Sequence, residues 1–190
     1  VDTKQPTLTT ERSTLEPLGE RHTEPIVRMF ADPEMSRYFP GDLTVRQNAE
    51  AMVRRRLAYS GPPELGHWVF LRDGVVIGLG HLRPSWELPG ELPEIGWYLA
   101  TEHGGAGLAT EAGRALLHYG LNELGLDSVW ALVHTENAPS LRLAQRLGFL
   151  RVGSGVHYGQ MWHHVHVALP GRVSGKRPDG TGSLTPAVGP

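Results

Sequence analysis

Hydrophobic positions along this chain recur with two different periods, and the switches between them mark the elements. Residues 8–18 set Leu8, Leu15 and Leu18 among threonines, which reads as a strand. Residues 20–31 bring Ile26, Val27 and Phe30 onto one helical face, and Pro33 is expected to end that helix. Thr44 is placed to cap a second helix running to about residue 60, where Gly61-Pro62 stops it. Two β-rich runs, 67–72 and 75–82, flank Asp73-Gly74, a strong hairpin signal. Residues 84–93 read as a loop and 94–100 as a short strand. Over 108–124 the period is helical, with Ala109, Ala112, Leu116 and Tyr119 sharing a face and Gly125 just past the end. A strand at 128–134, a helix from Asn137 to Leu147 ended by Gly148, and strands at 149–158 and 161–169 complete the order β α α β β β α β α β β. Mixed order of this kind predicts an α/β (α+β) domain with a partly antiparallel sheet.

Composition narrows the function classes. The 190 residues are 39% apolar and 20% charged, which is globular, and the length suits one domain. With 18 Lys+Arg against 20 Asp+Glu there is no overall basic field, so nucleic acid is not expected as a partner. The absence of cysteine excludes disulfides, thiolate metal sites and a cysteine nucleophile. No apolar run approaches the ~20 residues of a membrane span, and residues 1–10 lack signal-peptide features. No membrane association and a cytoplasmic location are therefore expected. Residues 170–190 hold nine Gly or Pro and few strong hydrophobes, which reads as a disordered tail behind a domain at 1–169.

The most informative stretch is Glu102-His-Gly-Gly-Ala-Gly-Leu-Ala-Thr-Glu-Ala112, set between a strand and a helix. Gly104, Gly105 and Gly107 permit positive φ and leave the backbone bare, so several amides can point into one small cavity. The helix start adds its own unpaired donors and partial positive charge, which suits a phosphate or diphosphate without any lysine. There is no Gly-Lys-[Ser/Thr] and no Gly-x-Gly-x-x-Gly, so P-loop and dinucleotide readings fail. A second strand-to-helix junction follows, where Asn137 can cap a helix that carries Ser140 in its first turn. Two such junctions converge at the carboxyl ends of neighbouring strands, where α/β sheets place ligands.

Together these residues resemble the GNAT superfamily of acetyltransferases, most closely its ribosomal-protein N-terminal acetyltransferase branch. The resemblance rests on Thr10-Glu-Arg-Ser-Thr-Leu-Glu-Pro-Leu18, Glu94-Ile-Gly-Trp97, Gly105-Ala-Gly-Leu-Ala-Thr-Glu-Ala112, Asn137 with Ser140, and Leu147-Gly-Phe149. It implies a mostly antiparallel central sheet flanked by about four helices and splayed between the strands at 94–100 and 128–134. It implies acetyl-CoA as co-substrate, no metal, and direct attack of a primary amine on the thioester. The acceptor is a protein N-terminus or a small amine, an antibiotic included; homodimer formation is left open. A catalytically weak acyl-CoA sensor is the competing reading.

The resemblance also assigns roles. Backbone amides of Gly105, Ala106, Gly107, Leu108, Ala109 and Thr110 would hold the diphosphate. The backbone from Trp97 to Leu99 would pair with the pantetheine arm, Asn137 would bond its side, and an amide near Tyr98 would face the oxyanion. Glu94 is the candidate base. The position where many relatives carry a tyrosine acid is Ala144, which leaves Ser140, one turn earlier, as the candidate acid, with Tyr158 as the alternative. Tyr38, His81 and Trp86 are placed to line the acceptor cleft. Gly104 stands where the wider superfamily has Gln or Arg. The run Arg54-Arg-Arg56 reads as a solvated helix face, with attraction of an acidic group or of the CoA 3′-phosphate as the alternative, and His163, His164 and His166 read as strand residues rather than metal ligands.

Overall fold

The computed structural model describes residues 4–159 and 161–170. The expected tail thus lies outside the described residues except for Pro170. The first strand is broken: the Thr10 amide and hydroxyl each donate to the Ser13 carbonyl at 2.9 Å, closing a turn. The run 8–18 is therefore a hairpin of β1 (Leu8–Thr9) and β2 (Thr14–Pro17), with Leu8 opposite Leu15. α1 (Thr23–Met29) is shorter than expected. Pro33 starts a helix instead of ending one: it opens α2 (Pro33–Ser36), whose cap is the Asp32 carboxylate accepting from the Glu34 amide at 3.0 Å. Thr44 does not cap α3 (Arg46–Leu57), because its amide and hydroxyl both donate to Asp42, at 2.9 and 2.6 Å.

The remaining elements fall close to expectation. β3 (Gly66–Arg72) and β4 (Val75–Pro84) join through Asp73-Gly74, both at positive φ. Then come β5 (Pro93–Leu99), α4 (Leu108–His118) with a wider last turn through Glu123, and β6 (Val129–His134). α5 (Ala138–Arg146), β7 (Leu150–His157) and β8 (Met161–Ala168) follow. The eight strands form one sheet in the order β1-β2-β3-β4-β5-β6-β8-β7.

Every neighbouring pair is antiparallel except β5 and β6, which α4 joins by a crossover. That parallel pair keeps only one register contact, Glu94 opposite Trp130. Beyond it the two strands diverge towards their carboxyl ends, the expected splay. Trp68, Phe70, Leu82, Ile95 and Trp97 pack with α4 and α5 on one face. Val69, Leu79 and Tyr98 pack with α1 and α3 on the other. Among the described residues no helix is long and apolar enough to cross a membrane.

Candidate active site

The glycine bend is built as its sequence suggests. Gly105 and Gly107 sit at φ +79° and +82°, where a Cβ would be strained. Gly105, Ala106 and Gly107 are exposed, while buried Leu108 anchors the first turn of α4 in the core. No side chain caps α4. Its first amides are thus free to meet an anion, with the positive end of the helix dipole behind them. The Thr101 hydroxyl ties the bend to α2 by donating to Asp32 at 2.6 Å. Thr110 lies on the inner turn, its hydroxyl accepting from Arg146 Nε at 3.4 Å. Arg12, paired with Glu111 of α4, brings a guanidinium beside Gly107 on the side where Gly104 carries none.

From that bend the splay leads inward along β5. Backbone direction alternates along a strand, and the Ala100 amide donates to Ile77 of β4 at 2.8 Å. The Tyr98 and Gly96 carbonyls likewise lie against Gly78 and Gly80 of β4. Trp97 and Leu99 therefore turn their peptide groups to the splay. The Tyr98 amide belongs to the β4 ladder, so the amides near it that face the splay are those of Trp97 and Leu99. Trp97 donates its indole N–H to Ser140 Oγ at 3.4 Å, so Ser140 stands at the inner wall of the splay. Asn137 caps α5, its side-chain oxygen accepting from the Ser140 amide at 3.1 Å, which leaves the Asn137 amide nitrogen for a ligand. Ala144 is wholly buried in the core, so that position contributes packing.

On the other face, Glu94 is 3% exposed and held by two hydroxyl donors. Ser85 donates to its Oε2 at 2.5 Å, and Tyr158 donates to Oε1 and Oε2 at 2.6 and 2.5 Å. His81 Nε2 lies 3.7 Å from the same carboxylate, and Arg83 4.0 Å from it. Burial pushes the Glu94 carboxyl up, but the charge a protonated His81 would bring and the two hydroxyl donors outweigh it and hold it below the ordinary carboxylate range. Burial and Arg83 lower His81 to about 4, so it is neutral near pH 7. Burial and the Glu94 charge raise Tyr158, which stays protonated at working pH. Tyr158 adopts φ +46°, an outlier for a bulky residue, and that turn delivers its hydroxyl to Glu94.

The three expected acceptor residues are distributed around this cluster. Tyr38 stacks on His134 at 4.8 Å and donates to the Glu136 carbonyl at 3.2 Å. A chain of rings continues from His134 through His163 and Tyr158 to Trp86, with centroids 5.6, 5.8 and 6.5 Å apart. Trp86, 71% exposed, covers the Arg83 guanidinium at 3.9 Å. His81 lines no surface; it is 3% exposed beside Glu94. Arg83 and Ser85 were not anticipated, and Arg56 only as part of a run that could attract an acidic group. Arg56 is turned inward from α3 over the Phe39 and Tyr98 rings, at 5.8 and 5.7 Å, which corrects the reading of 54–56 as a uniformly solvated run. The spacing Ala49, Met52, Val53, Arg56 places it on the buried stripe, a signal the arginine run obscures. Among the described residues no group of three His, Asp or Glu is arranged to hold a metal ion.

A family model described as an acetyltransferase (GNAT) domain matches residues 12–150. The uncharacterized N-acetyltransferase p20 of Bacillus licheniformis is 30% identical over 150 residues, covering 77% of this chain and 84% of that protein. A Vibrio cholerae protein assigned as a ribosomal-protein-serine acetyltransferase superposes with a TM-score of 0.71 at 17% identity, covering 88% of this chain and 99% of that one. Mycobacterium smegmatis RimJ, solved in complex with CoA-disulfide, superposes with a TM-score of 0.68 at 21% identity, covering 87% and 88% of the two chains. At those identities the two structures speak for a shared fold.

Proposed function

The chain belongs to the GNAT family of acetyltransferases and is an N-acetyltransferase, and on that premise we propose that it moves the acetyl group of acetyl-CoA to an α-amine or another weakly basic primary amine. The observation that carries this reading is the uncapped bend at Gly105–Leu108 opening into the splay beside Ser140. In it, the amides from Gly105 to Thr110 hold the diphosphate, Asn137 bonds the pantetheine side, and the outward peptide groups of Trp97 and Leu99 pair with the arm. The thioester then lies between Ser140 on α5 and Glu94 on the opposite face. The amine nitrogen attacks the thioester carbonyl, the C–S bond breaks, and the proton lost by nitrogen ends on sulfur, with the Ser140 hydroxyl as the nearest carrier.

Basicity selects the acceptor class. At pH 7 an α-amine must surrender a proton at about 1 kcal/mol, against about 4–5 kcal/mol for a lysine. A carboxylate held low by Ser85 and Tyr158 is a poor proton acceptor, so Glu94 orients the neutral amine and stabilises the positive charge that develops on nitrogen as it attacks, rather than extracting a proton from a strong base. The acceptor is either a protein N-terminus or a small amine. Release of CoA thiol is the test: α-amines should be acetylated in preference to lysine side chains. Tight acetyl-CoA binding with no turnover of any amine would replace this reading by that of an acyl-CoA sensor.

A further inference from the structure

The cluster around Glu94 holds an excess of positive charge that the described protein does not balance. Arg83 is 5% exposed; it donates to the Pro84 carbonyl at 2.8 Å and to the Tyr158 hydroxyl at 3.4 Å, but both are neutral, and its nearest carboxylate, Glu94 at 4.0 Å, is shared with Tyr158 and Ser85. Among the described residues Arg56 has no carboxylate within ion-pair distance; its guanidinium lies over two rings and its Nη1 is buried without a partner. His67 Nδ1, both ring nitrogens of His81, and Arg83 Nε are likewise buried and unpartnered. The His67 and His81 rings are 5.6 Å apart, so these atoms converge on one locus beside Tyr98 and Glu94. Both histidines are neutral near pH 7, which leaves two guanidinium groups against one carboxylate. Glu87, at the rim, is engaged by the Tyr158 amide at 3.1 Å and by His157 at 3.4 Å. Cations withdrawn from water with too few counter-charges are costly, and a ligand anion is the ordinary way to balance them.

We propose that the acceptor is a primary amine that also carries a carboxylate, and that Arg56, with Arg83 beside it, recognises that carboxylate while Glu94 faces the amine. This rests on reading the Glu94 side as the acceptor side. A planar guanidinium fork matches a carboxylate, and one carboxylate cancels the surplus of one charge. Trp86, exposed and seated on Arg83, is placed to cover the bound group. The carboxylate has two sources: the main chain of a free amino acid, or an Asp or Glu side chain next to a peptide N-terminus.

The test compares acceptors that differ only in that group. Free amino acids are set against their amides, and peptides with Asp or Glu in second place against the same peptides with Asn or Gln. In the wild type the acid of at least one pair should have a kcat/KM roughly tenfold to a hundredfold above its neutral partner, and the winning pair identifies the source. In Arg56→Met that ratio should fall towards one, Arg56→Lys should recover part of it, and the KM for acetyl-CoA should hold. The thermal midpoint of Arg56→Met should be no lower than wild type, since a half-buried charge with no ion-pair partner is removed. Neutral partners turned over as well as the acids would overturn the inference while leaving the N-acetyltransferase reading intact. A ratio unchanged in Arg56→Met would also overturn it. No turnover of either set would count against both.

Discussion

At the scale of single residues, the proposed reaction gives Glu94 and Ser140 separate tasks. Glu94→Gln keeps shape and loses charge, so kcat should fall by roughly 10²-fold while the KM for acetyl-CoA changes little. Steady-state kinetics check this, and a wild-type kcat would remove Glu94 from the reaction. Ser140→Ala should also lower kcat, because delivery of the one proton to the leaving sulfur is slowed. Gly107→Asp places a carboxylate against the diphosphate at a φ of +82°, and should raise the acetyl-CoA KM by roughly tenfold or more. An unchanged KM would move the diphosphate elsewhere. These residues were legible because their chemistry is local: bare backbone before a helix, a cap, a carboxylate on a strand. Ser85 and Arg83 were not, because nothing in Arg-Pro-Ser-Trp reveals that they converge on Glu94 across a strand pair.

At the scale of elements, the register of β4 on β5 and the cap of α5 hold the site together. Gly96 faces His81 so closely that a Cβ there would sit 2.2 Å from the His81 Cε1. Gly96→Ala should displace that ring, lower stability by about 1–3 kcal/mol and disturb Glu94 with it. Urea denaturation alongside kinetics reads both effects. Asn137→Ala removes the α5 cap and should lower stability by about 1 kcal/mol. It should lower kcat as well, because the frayed first turn carries Ser140. The elements that hydrophobic period and turn chemistry specify appear where expected, including the Asp73-Gly74 hairpin and α4. The misplaced ends have local causes. Asp42 engages Thr44, Thr10 folds residues 8–18 into a hairpin, and Pro33 acts as a first helical residue behind Asp32.

At the scale of the whole molecule, buried histidines set the response to acid. His81 titrates near 4 in the fold and near 6.5 unfolded, so the unfolded chain takes up its proton first. Stability from His81 is therefore complete above pH 6.5 and is lost as pH falls towards 4, a difference of up to about 3 kcal/mol. Burial lowers His22, His67, His163 and His166 in the same direction. The thermal midpoint should drop steeply between pH 6.5 and 4, and His81→Gln should shallow that slope. An equal slope in the variant would mean that other groups carry the acid limb.

The order of elements, the glycine bend, the capped helix carrying serine and the family itself all follow from residues close together in sequence, because turns, caps and amphipathic faces are short-range physics. The convergence of Arg83, Ser85 and Tyr158 on Glu94, the inward turn of Arg56 over Tyr98, and the direction each β5 peptide group faces belong to the tertiary structure. They arise from strand register and from the packing of α3 on the sheet, which bring together residues far apart in the chain, and no local pattern encodes that alignment.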